Sequence, residues 1–574
     1  MRRKLAFLVA VFCATVVMMA VQKPVFMAYY AVEASGAGFR GWIDVLWHGL
    51  TLDLTVAGYV TVLPILVTLF SLWLRLPEKV WRGVLTAWFV LVAVVTAVIF
   101  AVDIALAAVY AAGMIWVYRR ILGVFDGRPV GWRVALPGSV AVVMLAGFDF
   151  LAIRGGTGAS VANVSKVYFS PTQFLNHAAT NPVFSFLSSL GDRVDYADEY
   201  PFFEEPVRAA KFDALRGNGP AAGPTEPVLN TVRPNVVIVI LESFARTVMD
   251  AEVGGEPVMP YMQRLKREGV WFENFFANSF RTDRGEVAIL SGFPAQTRMS
   301  VMKLPAKSRS LPSVARSLAG EGYATSFAYG GDLNFTNQAS YMYATGWQEL
   351  VWQKDLRFDA PAADWGYDDA LMCDWFADRV IALSDAGKPF LAGLLTLSSH
   401  TPFDVPYSKF DDKVLNAMAF SDECVGKMID RLKASPAWKD LLVVLVADHG
   451  YPYPRTLTYN EPLRHRIPMI WTGGAVARPR VVEDYASQID IAATLLAQLG
   501  VPHDDFDYSK DIFAPTPPRK FAYYAFNDGF GVVDASGEAV WDATGGRAVT
   551  ETNPELLDVG RTMLQTTYVD IGHR

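Results

Sequence analysis

Three short apolar runs in the second half of the chain each lead to a residue that can ligate a cation or move a proton. Asn235 to Leu241 is followed by Glu242, Phe390 to Leu397 leads to His400, and Leu441 to Ala447 runs into Asp448-His449-Gly450. Runs of this length, rich in β-branched residues and separated by amphipathic segments, read as buried strands of a mostly parallel sheet flanked by helices. Ligands of open α/β sheets sit beyond the carboxyl ends of the strands, so the three endings point to one crevice.

Glu242, Asp448 and His449 are oxygen and nitrogen donors of the kind that bind Mn²⁺, Mg²⁺ or Zn²⁺. Thr282, just before the helical-looking Glu286 to Leu290, can complete such a set with its hydroxyl. A cation touching that hydroxyl lowers its pKa and turns a poor nucleophile into a good one, while neutralising a phosphoryl oxygen. Arg281 and Arg284 flank the threonine and can donate to the remaining phosphate oxygens, aided by backbone donors at the helix start. His400, on a loop stiffened by Pro402, is the candidate to protonate a leaving oxygen. Each residue also has a plain alternative. Glu242 or Thr282 can cap a helix, Asp448 can hold a turn, either histidine can serve its own surroundings, and the arginines can be solvated surface charges.

The elements that must position these groups belong to a chain of 574 residues, too long for one core. A hydrophobic share of 52% with 19% charged residues averages two unlike halves. A net charge of −7 leaves no broad basic face, which excludes nucleic acid as a partner. Three cysteines, Cys13, Cys373 and Cys424, show no C-x-x-C spacing and read as isolated thiols.

Apolar stretches fill most of residues 1–155. They run from Leu5 to Tyr30, Leu46 to Leu74, Leu85 to Tyr118 and Val134 to Ile153. The third is too long for one span at about 20 residues each, so it divides near Asp103. Five spans keep the arginine clusters before Val134 on the cytoplasmic side and place everything after Arg154 outside, as the positive-inside rule requires. A cleaved signal peptide is the competing reading of the first run, disfavoured by its length and the spans after it. Asp53 and Asp103 lie within apolar runs. Neither has an obvious charged partner, and both are read as lying near an interface rather than as functional carboxyls. The expected organisation is a transmembrane domain over 1–155, an extracytoplasmic linker over 156–233, a catalytic domain over 234–515 and its C-terminal part over 516–574.

Asn235 to Ser243, Phe280-Arg281-Thr282, Ser399 to Phe403, Asp448-His449-Gly450, Arg464 to Pro468 and Gln488 to Leu496 occur in an order that resembles the lipoteichoic acid synthase and phosphoglycerol transferase family. That family is a membrane-anchored branch of the sulfatase and alkaline phosphatase superfamily. The resemblance implies an α-helical membrane domain and an outer α/β domain of that superfamily's fold. It further implies one metal, Mn²⁺ by preference, on Glu242, Thr282, Asp448 and His449, with Thr282 as nucleophile and His400 touching substrate. The activity implied is transfer of phosphoglycerol from phosphatidylglycerol to a glycan or polymer acceptor through a covalent threonine intermediate, by a multi-pass enzyme of the bacterial cytoplasmic membrane. Phosphoethanolamine transfer and a catalytically silent membrane scaffold are the alternatives. Sulfate ester hydrolysis is disfavoured, because the segment Thr282 to Gly285 lacks a convertible Cys or Ser. The segment Gly331 to Gln338 departs from the family: it lacks the Trp and Arg that line the glycerol phosphate pocket of lipoteichoic acid synthases.

Overall fold

The computed structural model describes residues 1–100, 104–190, 195–216, 224–515 and 519–574. They form two compact units, residues 1–194 and 195–574. Asp103 and most of the Gly/Pro-rich stretch from Gly217 to Pro227 lie outside the described residues.

The first unit is built on five long helices, α1 (Arg2–Tyr29), α2 (Gly38–Trp73), α3 (Glu78–Phe100), α4 (Ile104–Leu122) and α5 (Trp132–Arg154). Among the described residues four of them, α1, α2, α3 and α5, are long and apolar enough to cross a membrane. At about 1.5 Å per residue, even 23 residues span the roughly 30 Å of a bilayer's hydrocarbon. The fifth, α4, has 19 residues and carries Arg119 and Arg120 in its last turn. It packs on α3, where the rings of Phe89 and Tyr118 stack at 4.3 Å.

One expectation for this unit fails. Asp53 is not a partnerless carboxyl: it is fully buried, and Lys23 Nζ donates to both of its oxygens at 2.6 and 2.7 Å. Asn181 Nδ2 donates to the same carboxylate at 2.8 Å. Lys23 was in plain view inside the first apolar run, but the pairing joins two helices and has no signature along the chain.

The stretch expected to be a linker is shared between the units. Short helices Gln173–Ala179 and Pro182–Ser189 pack on the membrane helices, with Phe174 stacked on Phe26 at 5.8 Å. The helix Glu205–Leu215 instead lies on the C-terminal helix of the second unit, tied by Arg208 to Thr566 at 2.9 Å and by Lys211 to Asp558 at 2.8 Å.

In the second unit an eight-stranded sheet is formed by β1 (Asn235–Leu241), β2 (Val270–Phe276), β3 (Ala324–Tyr329), β4 (Glu349–Trp352), β5 (Phe390–Leu395), β6 (Leu441–Ala447), β7 (Met469–Thr472) and β8 (Arg480–Ser487), in the order β8-β2-β7-β6-β1-β5-β3-β4. All pairings are parallel except those of β7. The expected sheet is thus borne out. The three strands read from the sequence, β1, β5 and β6, are its centre. They are buried along nearly their whole length, as continuous apolar runs covered on both faces should be. Leu241 pairs with Ala447 and Ile240 with Leu395, so the three strands end at one level. A second, antiparallel sheet of four strands, β9 (Phe521–Phe526), β10 (Gly529–Asp534), β11 (Gly537–Asp542) and β12 (Arg547–Glu551), precedes the final helix Pro554–His573.

Removing one member of the buried Lys23–Asp53 pair leaves an uncompensated charge, which costs about 3 to 5 kcal/mol. Asp53→Ala should therefore lower the thermal unfolding midpoint of the protein in detergent, and Lys23→Met combined with Asp53→Leu should recover most of the loss. An unchanged midpoint for Asp53→Ala would mean that the pair does not stabilise the unit.

Candidate active site

Past the ends of β1 and β6 the chain turns sharply. Ser243 takes a positive φ of 59°, an uncommon conformation for a residue with a side chain and one that clusters at functional sites. The turn is fixed from several sides. Thr396 Oγ1 accepts from the Glu242 N–H at 2.8 Å, Ser399 Oγ donates to the Glu242 carbonyl at 2.6 Å, and the Ser243 N–H donates to Asp448 Oδ1 at 2.7 Å. Glu242 and Asp448 are thereby brought side by side, both buried.

Asp448 Oδ1 also accepts from the His449 N–H at 2.7 Å, while Oδ2 is buried and has no hydrogen-bond partner. His449 Nε2 lies 3.5 Å from that oxygen and 3.7 Å from Glu242 Oε1. One donor atom from each of the three residues falls within 4.8 Å of the others. Ligands about 2.1 Å from a common ion stand about 3 to 4 Å apart, so the trio fits a single divalent cation. Electrostatics agree: burial first, and then the charge of Asp448, push the Glu242 carboxyl up, and burial raises Asp448 to about 6. Burial lowers His449, which keeps a ligating nitrogen unprotonated.

Thr282 is the first residue of α6 (Thr282–Ser291), with Arg281 as N-cap, and its Oγ1 donates to Glu242 Oε2 at 3.2 Å. It does not cap its own helix; its hydroxyl faces the acidic cluster. The approach depends on Gly285, where a Cβ would stand 2.2 Å from the Asp448 carbonyl oxygen. Behind the threonine, Asn278 and Ser279 donate to the carbonyls of Tyr523 and Ala525 on β9, at 2.7 and 2.8 Å. Gln488 joins the two loops: it accepts from the Asn278 N–H at 2.7 Å and donates to the carbonyls of Ala447 and Asp448 at 2.7 and 2.8 Å.

These groups open into a cavity of about 460 Å³. Arg281 and His400 line it, but Arg284 does not. The latter is buried and donates to Ser279 Oγ at 3.3 Å and to the Thr297 carbonyl at 3.4 Å. The expectation that both arginines, flanking Thr282, can donate to a bound phosphate is met in position by Arg281 alone. Arg281 has extended backbone, φ −141° and ψ 143°, so the spacing of three does not align them. His400 Nδ1 lies 2.7 Å from the Thr401 carbonyl, an arrangement that places the proton on Nδ1 and leaves Nε2 for chemistry.

Other lining residues were not anticipated. Trp365 packs on His400 with ring centroids 4.6 Å apart, and Phe335 meets Trp365 edge-on at 5.5 Å. Tyr329, Tyr459 and Arg464 also contribute to the wall. Beneath it, Glu286 is completely buried, and burial raises its pKa well above the usual range. Its Oε2 accepts from Gln338 at 3.0 Å. The spacing of Thr282 and Glu286, four residues apart on one helix face, was a usable signal for it. Nothing in the local sequence marks the loop residue Trp365.

The arrangement defines a class. Residues 234–501 match the Sulfatase family model, and the second unit has a sulfatase and alkaline-phosphatase-like fold. Its fold is shared with a protein of the alkaline phosphatase superfamily from Vibrio parahaemolyticus, at a TM-score of 0.56 and 23% identity, covering 65% of this chain and 97% of that one. It is shared also with the lipoteichoic acid synthase LtaP from Listeria monocytogenes, at a TM-score of 0.54 and 20% identity, covering 63% and 98%. In sequence the chain is 25% identical over 320 residues to phosphoglycerol transferase I of Xanthomonas campestris pv. campestris, an alignment covering 52% of this chain and 45% of that protein. The chain thus spans about half the length of this relative. Its resemblance to the phosphoglycerol transferases and lipoteichoic acid synthases is borne out.

Binding of a divalent ion must displace protons from Glu242 and Asp448. The affinity of the full-length protein for Mn²⁺, measured by calorimetry, should fall as pH drops below about 7 and more steeply below about 6, by about tenfold per unit for each proton displaced. Gly285→Ala should keep the fold but weaken Mn²⁺ binding, because the methyl group displaces the Asp448 loop. Unchanged affinity in that variant would show that the close approach of α6 is dispensable.

Proposed function

We propose that the protein transfers a phosphoglycerol head group from phosphatidylglycerol to an extracytoplasmic glycan or polymer of the cell envelope, with Thr282 as nucleophile. The observation that carries this reading is the position of the Thr282 hydroxyl, 3.2 Å from the buried Glu242 carboxylate of the Glu242, Asp448 and His449 trio and open to a cavity that admits a head group. The relatives support the choice of group, since those it matches are named phosphoglycerol transferases and lipoteichoic acid synthases.

Glu242, Thr282, Asp448 and His449 would hold the metal, for which Mn²⁺ is proposed and Mg²⁺ or Zn²⁺ are the alternatives. When bound, the ion supplies the positive charge that makes the threonine oxygen nucleophilic and neutralises a phosphoryl oxygen. Thr282 Oγ1, its proton held by Glu242 Oε2 until the threonine is released, attacks phosphorus, the bond to the diacylglycerol oxygen breaks, and protonated His400 delivers its proton to that oxygen. An acceptor hydroxyl then attacks the phospho-threonine, His400 takes up its proton, and Thr282 is released. Arg281 and the N–H groups at the start of α6 receive the remaining phosphate oxygens. The apolar helices of the first unit would anchor the enzyme in the bacterial cytoplasmic membrane, with the second unit outside.

Intact-mass analysis of the full-length protein with Mn²⁺ in detergent tests the proposal. With phosphatidylglycerol the native protein should gain one glycerophosphate and release diacylglycerol, and Thr282→Ala should do neither. An adduct formed only with phosphatidylethanolamine would reassign the donor, and the absence of adduct and of diacylglycerol with both lipids would refute transfer.

A further inference from the structure

Arg464 is an anomaly in the wall of the cavity. Its residue is only 6% exposed, and two of its guanidinium nitrogens, Nε and Nη1, are buried without a hydrogen-bond partner. No carboxylate forms an ion pair with it among the described residues. What it touches is the ring of Tyr459, with the guanidinium carbon 4.6 Å from the centroid. Burial lowers its pKa, and only the phenols of Tyr459 and Tyr451 oppose that effect. A stacked but unpaired guanidinium in a low-dielectric wall is costly to the fold, and such a cost is characteristic of a group kept for a ligand.

Its location specifies the ligand. Arg464 follows the short loop that carries Tyr459 and lines the same cavity as Thr282, His400 and His449. It is locked against the metal-binding loop: a Cβ on Gly450 would stand 2.3 Å from the Arg464 carbonyl oxygen, so only glycine lets the two segments meet. By contrast, the positions of Gly331 to Gln338 where relatives were expected to supply an arginine hold none.

We propose that Arg464 is the anion-recognition residue of this cavity, its guanidinium donating to a phosphate oxygen of the bound substrate. The inference rests on the phosphotransfer reading for the identity of that anion. The guanidinium stacked on Tyr459 is a planar, permanently charged donor held in place by the ring, which a lysine ammonium does not reproduce. Because the guanidinium makes no ion pair within the fold among the described residues, and its unpaired burial is costly, its loss should weaken binding without lowering stability.

The test uses the full-length protein loaded with Mn²⁺ in detergent, with calorimetric titration of inorganic phosphate in one arm and of phosphatidylglycerol in mixed micelles in the other, the latter on a Thr282→Ala background to prevent turnover. Arg464→Gln should weaken binding by about tenfold to a hundredfold, as expected for charged hydrogen bonds, with Arg464→Lys in between and the thermal midpoint not lowered. Weakening in both arms assigns the phosphate itself as ligand, and weakening with the lipid alone assigns the esterified head group. Equal affinity of the native and Gln proteins for both probes overturns the proposal, as does a fall in thermal midpoint large enough to explain the loss. Arginine-dependent phosphate binding without any adduct on Thr282 would sustain this inference while refuting transfer.

Discussion

Two carboxylates that end adjacent parallel strands, both withdrawn from water, set the terms for the rest of the outer domain. Glu242 and Asp448 stand side by side because β1 and β6 are in register to their last residues. A pair of buried like charges is tolerable only if protonated or bridged by a cation, and burial does raise both groups. Asp448 Oδ2, buried without a hydrogen-bond partner and 3.5 Å from His449 Nε2, is an acceptor that the cation proposed for this site would engage. A fold that merely required stability would fill this place with apolar side chains, as it does along the rest of both strands.

Bringing Thr282, the proposed nucleophile, to that pair requires that α6 approach from a distant part of the chain. Gly285 removes the side chain that would block the approach, and Gln488 fixes the spacing by bonding to Asn278 on one side and to the Ala447 and Asp448 carbonyls on the other. The second sheet holds the loop from behind through the carbonyls of Tyr523 and Ala525. Residues far from the chemistry therefore decide the 3.2 Å separation of Thr282 and Glu242. Small misplacements at such distances are expensive in rate, which gives these supports their importance.

The parts legible in the sequence were those with a local signature. Continuous apolar runs ending in Glu242 and Asp448 carry both the strand and the direction of its end, and the parallel sheet followed from them. What escaped was set by tertiary contact. Lys23 and Asp53 sit on different helices, and neither run betrays the other. Arg281 and Arg284 were both read as flanking donors to a phosphate, whereas the extended backbone of Arg281 at the helix start leaves only that side chain in the cavity. Trp365 reaches the cavity from a loop with no periodicity to mark it.

Trp365 also bears on how this pocket differs from those it resembles. The segment Gly331 to Gln338 supplies an aromatic, Phe335, but neither tryptophan nor arginine. Those two side-chain types reach the cavity from other parts of the chain, as Trp365 and Arg464. Trp365 bridges Phe335 and His400, so a flat apolar wall begins beside the histidine that is proposed to handle the leaving proton. A wall of that kind excludes water from one side of the reacting centre and strengthens every polar contact within it. The same wall presents ring faces, which suit the C–H surface of a small polyol as well as a cation, so the aromatic contacts alone do not choose the head group. Discrimination then falls on the polar groups around the phosphate. Since charged hydrogen bonds outweigh apolar contacts of similar size, the anion would be held first and the remainder of the head group sorted by shape.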